Sequence, residues 1–150
     1  MKNNDVLSDL VFRGNRVVSF DLKTNTISGK GHSGNISFDF DYNIKDMQHE
    51  KNSSFSLIDY TVIVKAMVKK KMLFKIKLVM EGAFSSEALD EDTFEDMVEL
   101  NGLITLSQIS RAYIQSVTAQ SGFKEPVRVP MINVMKLIEQ KNQEELSAKK

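Results

Sequence analysis

Two alternating runs placed end to end constrain this chain more than any other feature. From Ser56 to Val68, the residues Ile58, Tyr60, Val62, Val64, Ala66 and Val68 fall at every second position. From Met72 to Met80, the residues Met72, Phe74, Ile76, Leu78 and Met80 do the same, with Lys75 and Lys77 between them. Side chains alternate across a strand, so each run presents one apolar face and one polar face. Only Lys69, Lys70 and Lys71 separate the runs, and the pair reads as an antiparallel hairpin. The connector has no glycine, which leaves its turn type open.

The rest of the chain is read around this hairpin. Val11 to Leu22, with VVSF at its centre, has strand character, and Gly14 marks a bulge. Ile36 to Ile44 (ISFDFDYNI) alternates strictly and reads as a half-buried strand. Lys23 to Gly34 and Lys45 to Ser54 are polar and read as loops. Beyond Phe84 the pattern changes. Asp92, with Glu95 three residues on, resembles a helix-capping pair, and Asn101-Gly102 reads as that helix's stop. Leu106, Ile109, Tyr113 and Val117 recur at spacings of three and four, which predicts a second helix ended by Gly122. Pro130 suits the first turn of a last helix from Met131 to about Leu146. Strands grouped before helices predict an α+β domain: a four-stranded antiparallel sheet followed by two or three helices packed on one face. The length of 150 residues suits a single domain. Flexible ends are expected at about 1–9 and 141–150.

Composition narrows the function. Twenty basic and twenty acidic residues give a formal net charge of zero. A general nucleic-acid binder needs a basic excess to neutralise phosphates. The absence of cysteine excludes disulfides, thiolate metal sites and a cysteine nucleophile. No apolar run approaches the ~20 residues of a membrane span, and the N-terminus lacks the apolar core of a signal peptide. A cytoplasmic protein that does not insert in membranes is expected.

Motifs with chemical content are few. Gly29 to Gly34 matches G-x-G-x-x-G, but a strand pattern follows it where a dinucleotide site needs a helix. His32 and His49 sit in polar stretches, and Asp39 and Asp41 share a strand face without a third ligand. No catalytic residue, metal or cofactor is expected. Lys65, Lys69, Lys70, Lys71, Lys75 and Lys77 form a basic group on one hairpin. A nucleic-acid regulator built on it is an alternative of another class, although interleaved aromatics are missing.

Three segments, taken in order, resemble the protein-export chaperone family SecB. Val17-Val18-Ser19-Phe20-Asp21 is similar to that family's first strand. Tyr60 to Val64, the hairpin, and Glu81-Gly82-Ala83-Phe84 are similar to its central strands, which end in a G-G-I-F pattern. Leu106 to Thr118, then Gly122-Phe123 and Pro130 to Val134, are similar to its long helix and the segment beyond, with Arg111 on the helix arginine. The resemblance implies an ATP-independent, non-catalytic chaperone that binds non-native polypeptide in apolar grooves. It also implies a homotetramer built as a dimer of dimers. On this basis Phe55, Leu57, Phe84, Leu89, Phe94, Met97 and Phe123 are expected to contact client, and Phe84→Ser or Leu89→Ser to weaken client binding alone. Val18, Phe20, Leu106, Ile109, Tyr113 and Val117 are expected between subunits. Asp21 matches an acid through which the family delivers clients to the SecA motor. Val17 stands where another such acid would be, and Lys77 reverses the charge of a third. These departures, with the neutral charge balance, favour the SecB-like chaperones of toxin–antitoxin–chaperone systems and an antitoxin client. General export of preproteins through SecA is the alternative.

Overall fold

The computed structural model describes residues 7–26 and 34–150. Strands β1 (Val11–Thr24), β2 (Gly34–Glu50), β3 (Ser53–Val68) and β4 (Lys71–Ser86) precede helices α1 (Glu91–Met97), α2 (Leu103–Ala119) and α3 (Val134–Ala148). The strands form one antiparallel sheet in the order β1-β4-β3-β2. The two most apolar runs, β3 and β4, therefore take the central positions. Ile58, Val64, Ile76 and Leu78 are fully buried on the face that the helices cover, beneath Leu103, Leu106 and Ile114 of α2. This is the α+β architecture expected from strands followed by helices.

The β3–β4 connection is a two-residue turn, since Val68 pairs with Lys71. Lys69 and Lys70 both have positive φ, 48° and 64°. A two-residue turn of this kind matches the right-handed twist of the strands it joins, which is why side chains are forced into a region that favours glycine. In β1, Gly14 (φ 131°) lies at a register shift, so the expected bulge is present. The expected loop from Lys45 to Ser54 is instead mostly strand. Asp46 (φ 52°) makes a bulge that breaks the alternation after Ile44, and pairing resumes at Gln48.

The helix boundaries differ from expectation for identifiable reasons. Asp90, not Asp92, caps α1, its carboxylate accepting the Thr93 N–H at 3.3 Å. Asn101-Gly102 does not stop a helix. Val98 to Gly102 forms a π-helical turn that runs directly into α2. Gly102 has helical angles, and a Cβ there would lie 3.3 Å from the Phe84 ring, so this glycine serves close packing. Pro130 lies before α3, which is capped by Asn133 through the Lys136 N–H at 3.1 Å. The helix continues past Gln140 to Ala148.

The buried face of α2 is rotated from the expected stripe. It holds Leu103, Leu106, Ser107, Ser110, Ile114 and Thr118. Small hydroxyl residues tolerate burial on a helix because they donate back to the preceding turn. Ser107 Oγ donates to the Ile104 carbonyl at 2.8 Å, and Thr118 Oγ1 donates to the Ile114 carbonyl at 2.7 Å. Ile109, Tyr113 and Val117 lie half-buried on the flank.

Candidate functional site

Between α2 and α3 the chain returns as an extended segment fenced by Pro126 and Pro130. Proline fixes φ and cannot donate a backbone hydrogen bond, so the stretch resists joining either helix. Its alternate residues Val127 and Val129 turn inward, 7% and 2% exposed. Two side chains of α2 hold its backbone. Thr118 Oγ1 accepts the Val127 N–H at 2.8 Å, and Arg111 Nε donates to the Val129 carbonyl at 2.7 Å. Gln108 Oε1 accepts from Arg111 Nη1 at 2.9 Å and holds the guanidinium in place. The segment is thus a fixed wall.

That wall faces the sheet across an apolar trough. Ile36 and Phe38 of β2, Phe74 of β4, and Phe123, Pro126 and Val127 line a cavity of about 550 Å³. Glu125 and Arg128 also line it and supply the polar groups. Phe74 and Phe123 meet edge to face, ring centroids 4.9 Å apart. A second hollow of about 250 Å³ shares this pair and adds Thr24, Asn25, Leu73, Ser121 and Gly122. Together they form a concave surface that is more apolar than polar, with Glu125, Arg128, Thr24, Asn25 and Ser121 among its lining, a mix seen in ligand sites. Replacing Thr118 with valine leaves the Val127 N–H buried without its acceptor. The expected cost is about 1–3 kcal/mol, read as a lower melting temperature and faster hydrogen exchange at the Val127 amide. Unchanged exchange there would remove Thr118 from the wall.

No protein-family model and no curated protein sequence matches the chain. Solved structures do. One is a SecB-like chaperone of Mycobacterium tuberculosis in complex with a ChAD peptide from the HigA1 antitoxin. It is 10% identical, with a TM-score of 0.65, covering 83% of this chain and 91% of that one. The chain has the SecB-like fold. A second similar structure is a protein of unknown function from Streptococcus agalactiae. It is 13% identical, with a TM-score of 0.52, covering 81% of this chain and 97% of that one.

Within this SecB-like fold the residues expected to contact client do not form one surface. Only Phe123 lines the trough. Phe84 and Phe94 are 1% and 0% exposed and belong to the core, which corrects the expectation that they reach client. Leu89 is half-buried against that core, and Met97 is half-buried at the end of α1. Phe55 and Leu57 alternate with the buried Ser54, Ser56 and Ile58, and so sit half-buried on the sheet face opposite the helices. Sequence reasoning missed Ile36, Phe38, Phe74, Pro126 and Val127. A usable signal was present: an alternating strand that becomes a sheet edge, and an extended run held between two prolines.

The expected subunit-interface residues divide in a similar way. Phe20 of β1 packs edge to face on Tyr113 of α2 at 5.4 Å. Ile109, Tyr113 and Val117 line the same flank of α2. β1 is an edge strand carrying Val18, 44% exposed, with Val17 and Phe12 also exposed. Leu106, by contrast, is fully buried within the subunit, against the position a Cβ on Gly82 would take, and is corrected to a core residue.

The uncovered sheet face carries a charge network across all four strands. Glu81 of β4 accepts from Arg16 Nε at 2.6 Å and from Lys45 Nζ at 2.7 Å, and Lys45 also meets Asp59 at 2.9 Å. Arg16 and then Lys45 pull the Glu81 carboxyl down to about 2. On the same face Asp21 is exposed and pairs in register with Lys77. Asp39 and Asp41 are exposed too, and Asp41 accepts from Lys141 of α3 at 2.7 Å. His49 Nδ1 lies 2.5 Å from Ser54 Oγ. Among the described residues no cluster of three or more His, Cys, Asp or Glu could hold a metal ion, and no helix is long and apolar enough to cross a membrane. His32 and most of the glycine-rich motif lie outside the described residues.

Proposed function

We propose that this protein is a SecB-like holdase that binds non-native polypeptide without ATP, dedicated to an antitoxin-type client. The trough between the wall and the sheet carries this reading. Its exposed Ile36 and half-buried Phe38 and Phe123 offer burial worth ~25 cal/mol per Å² before ordering costs, over a floor made by the buried Phe74 and Val127. Many such weak contacts hold an extended segment while permitting its release. The fold shared with a chaperone in complex with an antitoxin peptide supports the choice of client.

The working assembly in this proposal is a dimer of dimers. The exposed β1 edge, with Val17 and Val18 beside Phe20 and Tyr113, supplies the self-complementary surface that a two-fold interface requires. No catalytic step is assigned.

The test is mass spectrometry of polypeptides that co-purify with the tagged protein from its native cells, for the parent and for Phe123→Ser. One small stoichiometric partner, depleted about tenfold or more in the variant, is the expected result; tenfold corresponds to about 1.4 kcal/mol. Phe123 is half-buried at the groove, so the variant is expected to fold. A broad set of exported precursors would replace the antitoxin reading with general export. No bound polypeptide would remove the holdase reading.

A further inference from the structure

The sheet face opposite the helices treats its charges in two ways. Near its middle, Arg16, Glu81, Asp59 and Lys45 compensate one another by direct ion pairs. Toward the β3–β4 turn, the register sets Lys75 of β4 between Lys23 of β1 and Lys65 of β3. Three like charges thus stand side by side in one row, an arrangement that destabilises a sheet. All three side chains are on exposed residues. Glu81 lies six positions beyond Lys75 along β4, about 20 Å at the rise of a strand, beyond the reach of that carboxylate at physiological salt. Among the described residues Lys23, at the end of the row, makes a long, exposed ion pair with Asp21 at 3.8 Å, while Lys65 and Lys75 make none. Lys69, Lys70 and Lys71 extend the basic patch around the turn, two of them in a left-handed conformation that a glycine would adopt freely. The chain keeps this repulsion at a site where neutral residues would relieve it.

We infer that this lysine row docks an acidic polypeptide segment, one in which carboxylates alternate with apolar side chains. Charge complementarity argues for the acid. Ile63 and Met67, half-buried and flanking Lys65 along β3, argue for the apolar partners, because they offer contact area between the charges. Nucleic acid fits less well. Asp21 and Asp39 stand at the two ends of the next row along the face and would repel a phosphate chain continuing that way, and Lys23, Lys75 and Lys65 have no aromatic side chain among them on which a base could stack. The site lies on the opposite face of the sheet from the trough, so it stands whether or not the trough holds a client.

The experiment uses fluorescence anisotropy with the full-length protein and three probes. These are a labelled short peptide alternating glutamate with valine, its counterpart with lysine in place of glutamate, and a labelled single-stranded oligonucleotide. The glutamate peptide is expected to bind, to weaken with added salt, and to lose about tenfold in affinity when Lys65→Gln and Lys75→Gln are combined. The same double variant is expected to melt no lower than the parent, because it removes repulsion, which separates lost binding from lost fold. Phe123→Ser is expected to bind the glutamate peptide as the parent does. Equal affinity of the parent and the double variant would overturn the inference, as would equal binding of the two peptides. Tighter binding of the oligonucleotide, lost in the double variant, would replace the polypeptide with nucleic acid.

Discussion

Phe84→Ser is expected to cost about 3–5 kcal/mol, the penalty for emptying a buried phenylalanine site, with a buried hydroxyl added to the cavity. Phe84 is 1% exposed and lies against the Phe12 ring at 5.3 Å. A Cβ on either Gly82 or Gly102 would crowd its ring, so two glycines are shaped around this one side chain. The loss should appear as a large fall in the thermal or urea midpoint, with poor soluble yield. Client binding would fall only because folded protein is scarce. Phe123→Ser should show the opposite pattern, with near-parental stability and weak binding. A Phe84→Ser protein as stable as the parent but unable to hold client would return Phe84 to the binding surface.

Glu81→Gln is the second large effect expected. The side chain is 7% exposed and receives two cations, so removing its charge leaves Arg16 and Lys45 facing each other without their shared partner. The expected loss is about 1–2 kcal/mol at neutral pH, between an exposed and a buried pair because Arg16 is solvent-exposed, measured by denaturant unfolding. The pH dependence follows from the sign of the shift. The carboxyl titrates at about 2 in the folded protein and at about 4.3 when unfolded. Its contribution is complete above the unfolded value and disappears as pH falls from about 4.5 toward 2. Parent and variant should therefore converge in stability across that window. A constant difference between them down to acid pH would show that Glu81 acts through packing and not through its charge.

How much of this was legible in the chain follows from which interactions are local. Alternation named the core face of β3 and β4 because side-chain direction in a strand depends only on position parity. The same logic failed beyond Ile44, where Asp46 takes a left-handed conformation that no periodicity signals. On α2 the apolar residues Ile109, Tyr113 and Val117 suggested one face, whereas the fold buries Ser107, Ser110 and Thr118. Ser107 and Thr118 satisfy their hydroxyls within the helix, and small side chains let it approach the sheet. The separate pieces of the trough left signals in the sequence, but their assembly was not legible, because Ile36, Phe74 and Phe123 come from three distant parts of the chain. Their meeting depends on the crossing order of the strands and on the hydrogen bonds that Val127 N–H donates to Thr118 and Arg111 donates to the Val129 carbonyl. Arg111 was singled out by resemblance, and the structure supplies its physical task.

The strand order also fixes a sequence of events in time. β1 is made first, yet its sole neighbour in the sheet is β4: Thr24 pairs with Phe74, and Val11 with Ser85. β2, β3 and β4 can zip together as consecutive hairpins as soon as each appears. At ~5–20 residues per second of synthesis, β1 waits for several seconds with Phe12, Val17, Val18 and Phe20 uncovered. A newborn copy of this protein is therefore briefly the kind of extended, apolar polypeptide that we propose its finished form holds.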